Sequence, residues 1–336
     1  MKKLLKTQEL NELFKFISQD YDIYAPIKIP YKGTFSDTDL IKYGKISKLE
    51  DIEFEKKSQF SAKEILLPIT QTLFYFTEKE FIKPEGRVKK ALVFLRSCDL
   101  HSVERLDNIY INNKYSDEYY TDMRDMIKFV VIGCPGDGWD SCFCASMGTN
   151  RTDRYDMGMK ISNNNVYLDI KNEEFYEFFK NLQETDFEMD FVKKNKEKVN
   201  LPEDLELSKV INDPMWREYD RCIACGRCNF VCPTCSCFTT QDIFYRDNEK
   251  NGERRRVWAS CHVDKFTTMA GGHEFRQKTG DRMRFKVMHK IYDYKKRFGV
   301  NMCTGCGRCE DACPEYISYI NCINKLSKKL GDKNDK

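Results

Sequence analysis

Two runs of cysteine constrain this chain more than any other feature. The first places Cys222, Cys225, Cys228 and Cys232 before Pro233. The second places Cys303, Cys306, Cys309 and Cys313 before Pro314. Both read C-x2-C-x2-C-x3-C-P, the run that ligates [4Fe–4S] clusters. Three thiolates two residues apart wrap a tight loop around one face of a cubane, with backbone N–H groups aimed at its sulfides. Gly226 and Gly307 let the backbone come close. The fourth cysteine lies on the following helical turn and points elsewhere; in two-cluster ferredoxins it ligates the other cluster. The spacing therefore predicts one cluster on Cys222, Cys225, Cys228 and Cys313, and a second on Cys303, Cys306, Cys309 and Cys232. Structural zinc is the competing chemistry. It usually pairs two short cysteine knuckles, four ligands per site, whereas each run here packs four cysteines and a proline together, twice.

The chain has 16 cysteines in 336 residues. That is too long for a small disulfide-stapled secreted domain. The N-terminus starts like a signal peptide, but Lys6, Glu9 and Glu12 fall where an apolar core should run. A cytoplasmic location is the expectation, and with it metal or redox chemistry for the cysteines. No apolar run approaches the ~18 residues of a membrane span, so no membrane partner is expected. The 56 basic and 53 acidic residues give a net charge of +3, which does not describe a nucleic-acid binder. The charge is unevenly spread: residues 221–322 carry +7 and the remainder −4. Two oxidised clusters with their thiolates bring a formal charge of about −4, so part of that excess is the counter-charge they require. Arg254, Arg255 and Arg256 offer either a docking patch or a solvated basic end.

Periodicity predicts an α+β chain, an N-terminal α/β domain followed by a mainly helical ferredoxin-like domain binding the two clusters. The boundaries are 1–200 for the first, 201–326 for the second, and a polar tail over 327–336. Helices are expected over Gln8–Ser18, Ser61–Phe76, His101–Tyr110 and Glu173–Leu182, the second opening on a Ser61/Glu64 capping box. Buried strands are expected over Lys89–Leu95 and Ile127–Ile132, and a hairpin over Met157–Ile161 and Val166–Ile170. The charged stretch from Phe191 to Asp213 reads as a linker. The 70 residues between Cys232 and Cys303 exceed what a minimal ferredoxin needs. They contain a helical segment, Asp281–Arg297, with Met283, Val287, Met288, Ile291 and Tyr294 on one face.

Eight cysteines remain. Cys98 and Cys134 each follow a buried strand, and in an α/β sheet the carboxyl ends of parallel strands share one edge where ligands collect. Cys142 and Cys144 are near enough in sequence to join them. Four cysteines make one further cluster site; zinc and unligated buried thiols are the alternatives. Cys235, Cys237, Cys261 and Cys322 read first as small hydrophobes packed near the clusters. His262 and His273 are candidate polar contacts. There is no dinucleotide fingerprint and no P-loop, and no catalytic residue stands out.

The blocks around the cluster motifs are more specific than the motifs. They are Cys232–Phe238, Gly252–Arg256, Trp258–Cys261 and Gly271–His273, with Phe35–Leu40, Leu95–Asp99 and Cys142–Gly148. With them the chain resembles, over nearly its whole length, the family of iron–sulfur electron-transfer subunits of anaerobic sulfite reductases. The β subunit of soluble nickel-iron sulfhydrogenases is also similar. The resemblance implies an electron-transfer role without catalysis of its own. The chain would sit between a flavin subunit that oxidises NADH and a sirohaem subunit that reduces sulfite to sulfide.

Overall fold

The structure is a computed structural model that describes residues 1–203, 205–246 and 250–330. The chain forms two compact units, each assembled from three segments. One comprises Met1–Pro68, Glu85–Trp139 and Gly148–Asn195; the other comprises Ile69–Pro84, Asp140–Met147 and the chain from Lys196 onward. The single boundary expected near residue 200 is thus replaced by an interleaved arrangement.

The described residues contain strands β1 (Lys2–Lys6), β2 (Tyr21–Ile29), β3 (Leu40–Lys45), β4 (Thr70–Phe76), β5 (Phe81–Ile82) and β6 (Lys90–Leu95). They continue with β7 (Ile127–Ile132), β8 (Met157–Ser162), β9 (Asn165–Ile170), β10 (Gln183–Glu184), β11 (Phe238–Phe244) and β12 (Gly252–Trp258).

The first unit is built on an eight-stranded sheet of order β10-β1-β9-β8-β7-β6-β2-β3. Strands β2, β6, β7 and β8 run parallel. The apolar runs in β6 and β7 follow from burial on both faces. Leu92 and Phe94 join Val130 and Ile132 in a core with Leu10, Phe14 and Ile17 of the helix Thr7–Asp20. Ala91, Val93 and Leu95 face the other way, with Val131, against Val103 and Leu106 of the helix Ser97–Tyr110. The helix Glu118–Asp125 is capped by Asp117, whose carboxylate accepts the Tyr120 N–H at 2.9 Å. The β8–β9 hairpin turns on Asn163 and Asn164, both at positive φ, as an asparagine-rich two-residue turn requires.

The second unit holds a four-stranded antiparallel sheet, β11-β12-β4-β5, beside its helices. The cluster-bearing region thus combines its helices with a sheet that the expectation did not include. The helix expected over Ser61–Phe76 is only a turn, Lys63–Leu66. Pro68 cannot continue it, and Thr70–Phe76 pairs with β12 instead. Ser61 does not cap; its Oγ is buried without a partner. The helix expected over Glu173–Leu182 is likewise short, a 3-10 turn at Glu173–Phe175 running into Tyr176–Phe179.

The stretch expected to be a linker is packed. Val199, Leu205 and Val210 are buried in the second unit's core, the last on a helix Leu207–Asn212. Trp216, fully buried, donates its indole N–H to the Val210 carbonyl at 2.6 Å. The expected apolar face over Asp281–Arg297 is present, with all five named residues buried. That helix starts at Thr279, widens to a π-turn at His289–Asp293 and ends at Phe298. The helix Tyr319–Leu330 covers the start of the expected polar tail; positions 331–336 lie outside the described residues. No helix among the described residues is long and apolar enough to cross a membrane.

Candidate metal centre

The two cysteine runs fold alike. Each makes a loop, then a left-handed glycine, then a short helix: Gly226 at φ 75° before Arg227–Phe230, and Gly307 at φ 71° before Arg308–Ala312. The second loop also has Gly305 at φ 66°, where the first has Ala224 at φ 56°. The glycine is needed only in the second. A Cβ on Gly305 would lie 2.6 Å from the backbone nitrogen of Cys144, and one on Gly307 would lie 2.2 Å from the Ser141 carbonyl. The segment Asp140–Met147 lies against this loop, with the Phe143 N–H donating to the Gly305 carbonyl at 2.8 Å.

The motif cysteines line two neighbouring cavities. Cys222, Cys225, Cys228 and Cys313 line the first. Cys232, Cys303, Cys306 and Cys309 line the second. The two share walls: Cys228, Cys309, Lys286 and Tyr319 line both. The fourth cysteine of each run thus lies in the cavity lined by the first three of the other.

Two buried lysines define the electrostatics. Lys286 and Lys290 are 3% and 4% exposed. Burial works against their charge, but the thiols around them overcome it: Cys228 and Cys309 beside Lys286, Cys232 and Cys235 beside Lys290. Both ammonium groups are held above the usual lysine range. Burial pushes up the Cys222 and Cys228 thiols, and Cys303 to about 12. At Cys232 burial acts in the same direction, but Lys290 outweighs it and the thiol is lowered. The π-turn positions this lysine. Its carbonyl, freed from the regular helical ladder, accepts the backbone N–H of Met302 at 2.8 Å and of Cys303 at 3.3 Å, while Nζ donates to Thr234 Oγ1 at 2.8 Å.

These residues fit [4Fe–4S] clusters. The donors are all thiols, in two sets of four. The buried cations require anions nearby. The walls also carry two buried polar atoms without a protein partner, the Tyr319 hydroxyl and His262 Nε2. Both residues line the first cavity and Tyr319 also lines the second. Unpaired polar groups of this kind suit the sulfides and thiolates of a cluster, which accept hydrogen bonds. Burial pushes His262 down to about 3, with Lys286 and Arg282 adding to it, so it is neutral.

The other expected site residues are placed as follows. Cys98 opens the helix after β6, and Cys134 follows β7 in a cavity with Arg96 and Lys160; both belong to the first unit. Cys142 and Cys144 belong to the second, where Cys142 Sγ lies 3.7 Å from the Cys306 carbonyl. Cys322 is fully buried in the apolar core, beside Tyr219. His273 does not line either cluster cavity but packs edge-on against Phe275. The arginine patch on β12 is internally matched: Arg254 pairs with Asp242, Arg255 with Glu253, and Arg256 bonds Gln71. Lys286, Lys290 and Tyr319 are functional-site residues that sequence reasoning did not single out.

Residues 221–317 match the family model of 4Fe-4S dicluster domains. Over 97% of its length the chain is 26% identical to sulfhydrogenase 2 subunit beta of Pyrococcus furiosus, 98% of which is covered.

Proposed function

We propose that this chain is the iron–sulfur electron-transfer subunit of an oxidoreductase complex. The observation that carries this reading is the pair of thiol-lined cavities with a common wall of Cys228, Cys309, Lys286 and Tyr319. Bound there, [4Fe–4S] clusters supply one-electron acceptance and release. The chain's own residues set the conditions: the thiols ligate, Lys286 and Lys290 offset negative charge, and Tyr319 and His262 offer hydrogen bonds. Ligation is crossed between the runs. Cys313 completes the set of Cys222, Cys225 and Cys228, and Cys232 completes that of Cys303, Cys306 and Cys309. The test is Cys313→Ser in the anaerobically purified protein. The cluster lost should be the one held by the first run, resolved by EPR together with the matching Cys232→Ser variant; loss of the neighbouring cluster in each case would overturn the pairing.

The complex we propose is a cytoplasmic anaerobic sulfite reductase, with flavin and sirohaem subunits as partners. The blocks Cys232–Phe238 and Gly252–Cys261 support that reading. A second reading is favoured by the full-length likeness to a sulfhydrogenase β subunit: the same role beside a nickel-iron hydrogenase. Affinity purification of the native complex separates them. Sirohaem absorbance with sulfite-dependent NADH oxidation supports the first; nickel with hydrogen uptake supports the second and excludes the first. The third cluster on Cys98, Cys134, Cys142 and Cys144 is proposed on donor chemistry alone. About 12 irons per chain would support it, and about 8 without further metal would remove it.

A further inference from the structure

We propose that Cys237 and Cys261 form a redox-active thiol pair, with Cys235 as a third thiol alongside, and that the pair closes to a disulfide by passing its electrons to the adjacent clusters. The proposal rests on the two-cluster reading above.

The three cysteines lie outside both motifs, and none lines either cluster cavity. They nevertheless converge. Cys235 and Cys261 both lie close enough to Cys237 to act on its thiol. The backbone fixes this meeting. Phe238 pairs with Trp258 at the end of the β11–β12 ladder, and just past it the Ala259 N–H donates to the Cys237 carbonyl at 3.0 Å. Cys261 therefore comes back beside Cys237 from the opposite strand. On the other side, the Cys235 N–H closes a turn onto the Cys232 carbonyl at 3.3 Å.

Cys261 is also held from within the first cluster run. Asn229, almost fully buried between Cys228 and Cys232, donates Nδ2 to Cys261 Sγ at 3.1 Å and to Ser260 Oγ at 3.0 Å. One side chain thus ties this sulfur to the loop that bears cluster ligands. The hydrogen bond from Cys237 lowers the Cys261 thiol against the effect of burial, and Cys237 is raised in turn. The pair is a proton-holding thiol donating to a more acidic one, a common starting point for disulfide chemistry.

A bound ion is the obvious rival. The metal content of the purified protein, measured below, separates the two. Cys237 with Cys261 is the pair to close. Cys235 stands only two positions from Cys237 in the chain, where the disulfide ring would be short and strained. On closing, one S–S bond forms and both S–H bonds are lost. The two protons leave past half-buried Cys237, and clusters held in the two adjacent cavities would take up the two electrons singly, one each. Opening is the reverse. The site then stores two electrons next to two one-electron carriers.

The experiment uses the full-length holoprotein, purified anaerobically and poised at a series of potentials with redox mediators. Each sample is alkylated, denatured, digested and read by mass spectrometry, with visible absorbance recording the clusters. The expected result is a linked Cys237–Cys261 peptide pair at oxidising poise that separates at reducing poise. Its ratio should change tenfold per ~30 mV, as a two-electron couple requires, with Cys235 alkylated throughout. In Cys261→Ser the linked pair should vanish while cluster absorbance is unchanged. Alkylation of Cys237 and Cys261 that stays complete at every potential, with clusters intact, overturns the proposal. So does one zinc or copper ion per chain that is lost in Cys261→Ser. Wild-type protein alone decides the matter if the variant does not fold. Iron content of the same sample reports separately on the two-cluster reading.

Discussion

Lys286 is the residue where the chain's physics is most concentrated. A cation almost out of reach of water is stable only if anions surround it, and Lys286 lines both thiol-lined cavities. At an effective dielectric near 20, a unit charge a few ångströms away is worth roughly 2–4 kcal/mol. Each cluster gains negative charge on reduction, so Lys286 favours the reduced state. Lys286→Met is expected to lower at least one cluster midpoint by on the order of 0.1 V. EPR-monitored potentiometric titration measures it, and an unchanged or raised midpoint for both clusters would refute this role. Tyr319→Phe removes one O–H donor, and a smaller shift in the same direction is expected from the same titration. The eight motif cysteines are legible in sequence because a cubane dictates a local spacing. Lys286 and Lys290 are not. They sit one helical turn apart within the apolar stripe of Met283, Val287 and Ile291, and only folding brings loops from residues 222 and 303 to them. Two lysines four positions apart inside an apolar stripe are the available signal.

At the scale of elements, the strongest patterns are the ones fixed by burial on both faces. Strands β6 and β7 are readable because alternate residues serve two cores. The segment after Ser61 misleads because its capping-box pattern is local, whereas β4 exists through pairing with a strand far downstream. The cap that does form is Asp117. Asp117→Ala should cost about 0.5–2 kcal/mol, read as a fall in the denaturation midpoint of the first unit at constant slope. Asp117→Asn, which keeps an acceptor, should recover most of it. Trp216 tests the packing of the charged stretch that precedes it. It is fully buried and bonded to Val210, so Trp216→Ala should destabilise the second unit by about 3–5 kcal/mol. A loss below about 1 kcal/mol in chemical denaturation would mean that this stretch is loosely held, as a linker would be.

For the molecule as a whole, one bridge reports on acid stability. Glu174 accepts the Tyr21 hydroxyl at 2.5 Å and pairs with Lys90, the residues that stand opposite each other at the start of the β2–β6 pairing. Burial works to raise its carboxyl, but Lys90 and Tyr21 prevail and it is lowered. A carboxyl depressed in the folded state stabilises fully above its unfolded value of about 4.3, and that contribution is lost as pH falls through the folded value. Hydrogen exchange in β2 and β6 should therefore accelerate below about pH 4 in the wild type. In Glu174→Gln the acid dependence should flatten; identical pH profiles would remove Glu174 as the cause. The interleaving of the two units, invisible to any local pattern, has its own test. A fragment of residues 1–200 carries β4 without β12, leaving the aromatic strand with only the two-residue β5 on one side and its other edge open. It should aggregate on expression, and a monodisperse fragment in gel filtration would contradict that.

The same interleaving sets a timetable for synthesis. The last residue of β4 leaves the ribosome 176 positions before the first residue of β12. At roughly 5–20 residues per second, that is about 10–35 seconds during which an aromatic strand lacks its longer partner. The second cysteine run is completed later still, so neither cavity lined by cysteines of both runs can form until almost the entire chain has been made. Clusters held there would then be loaded late, in a largely post-translational event.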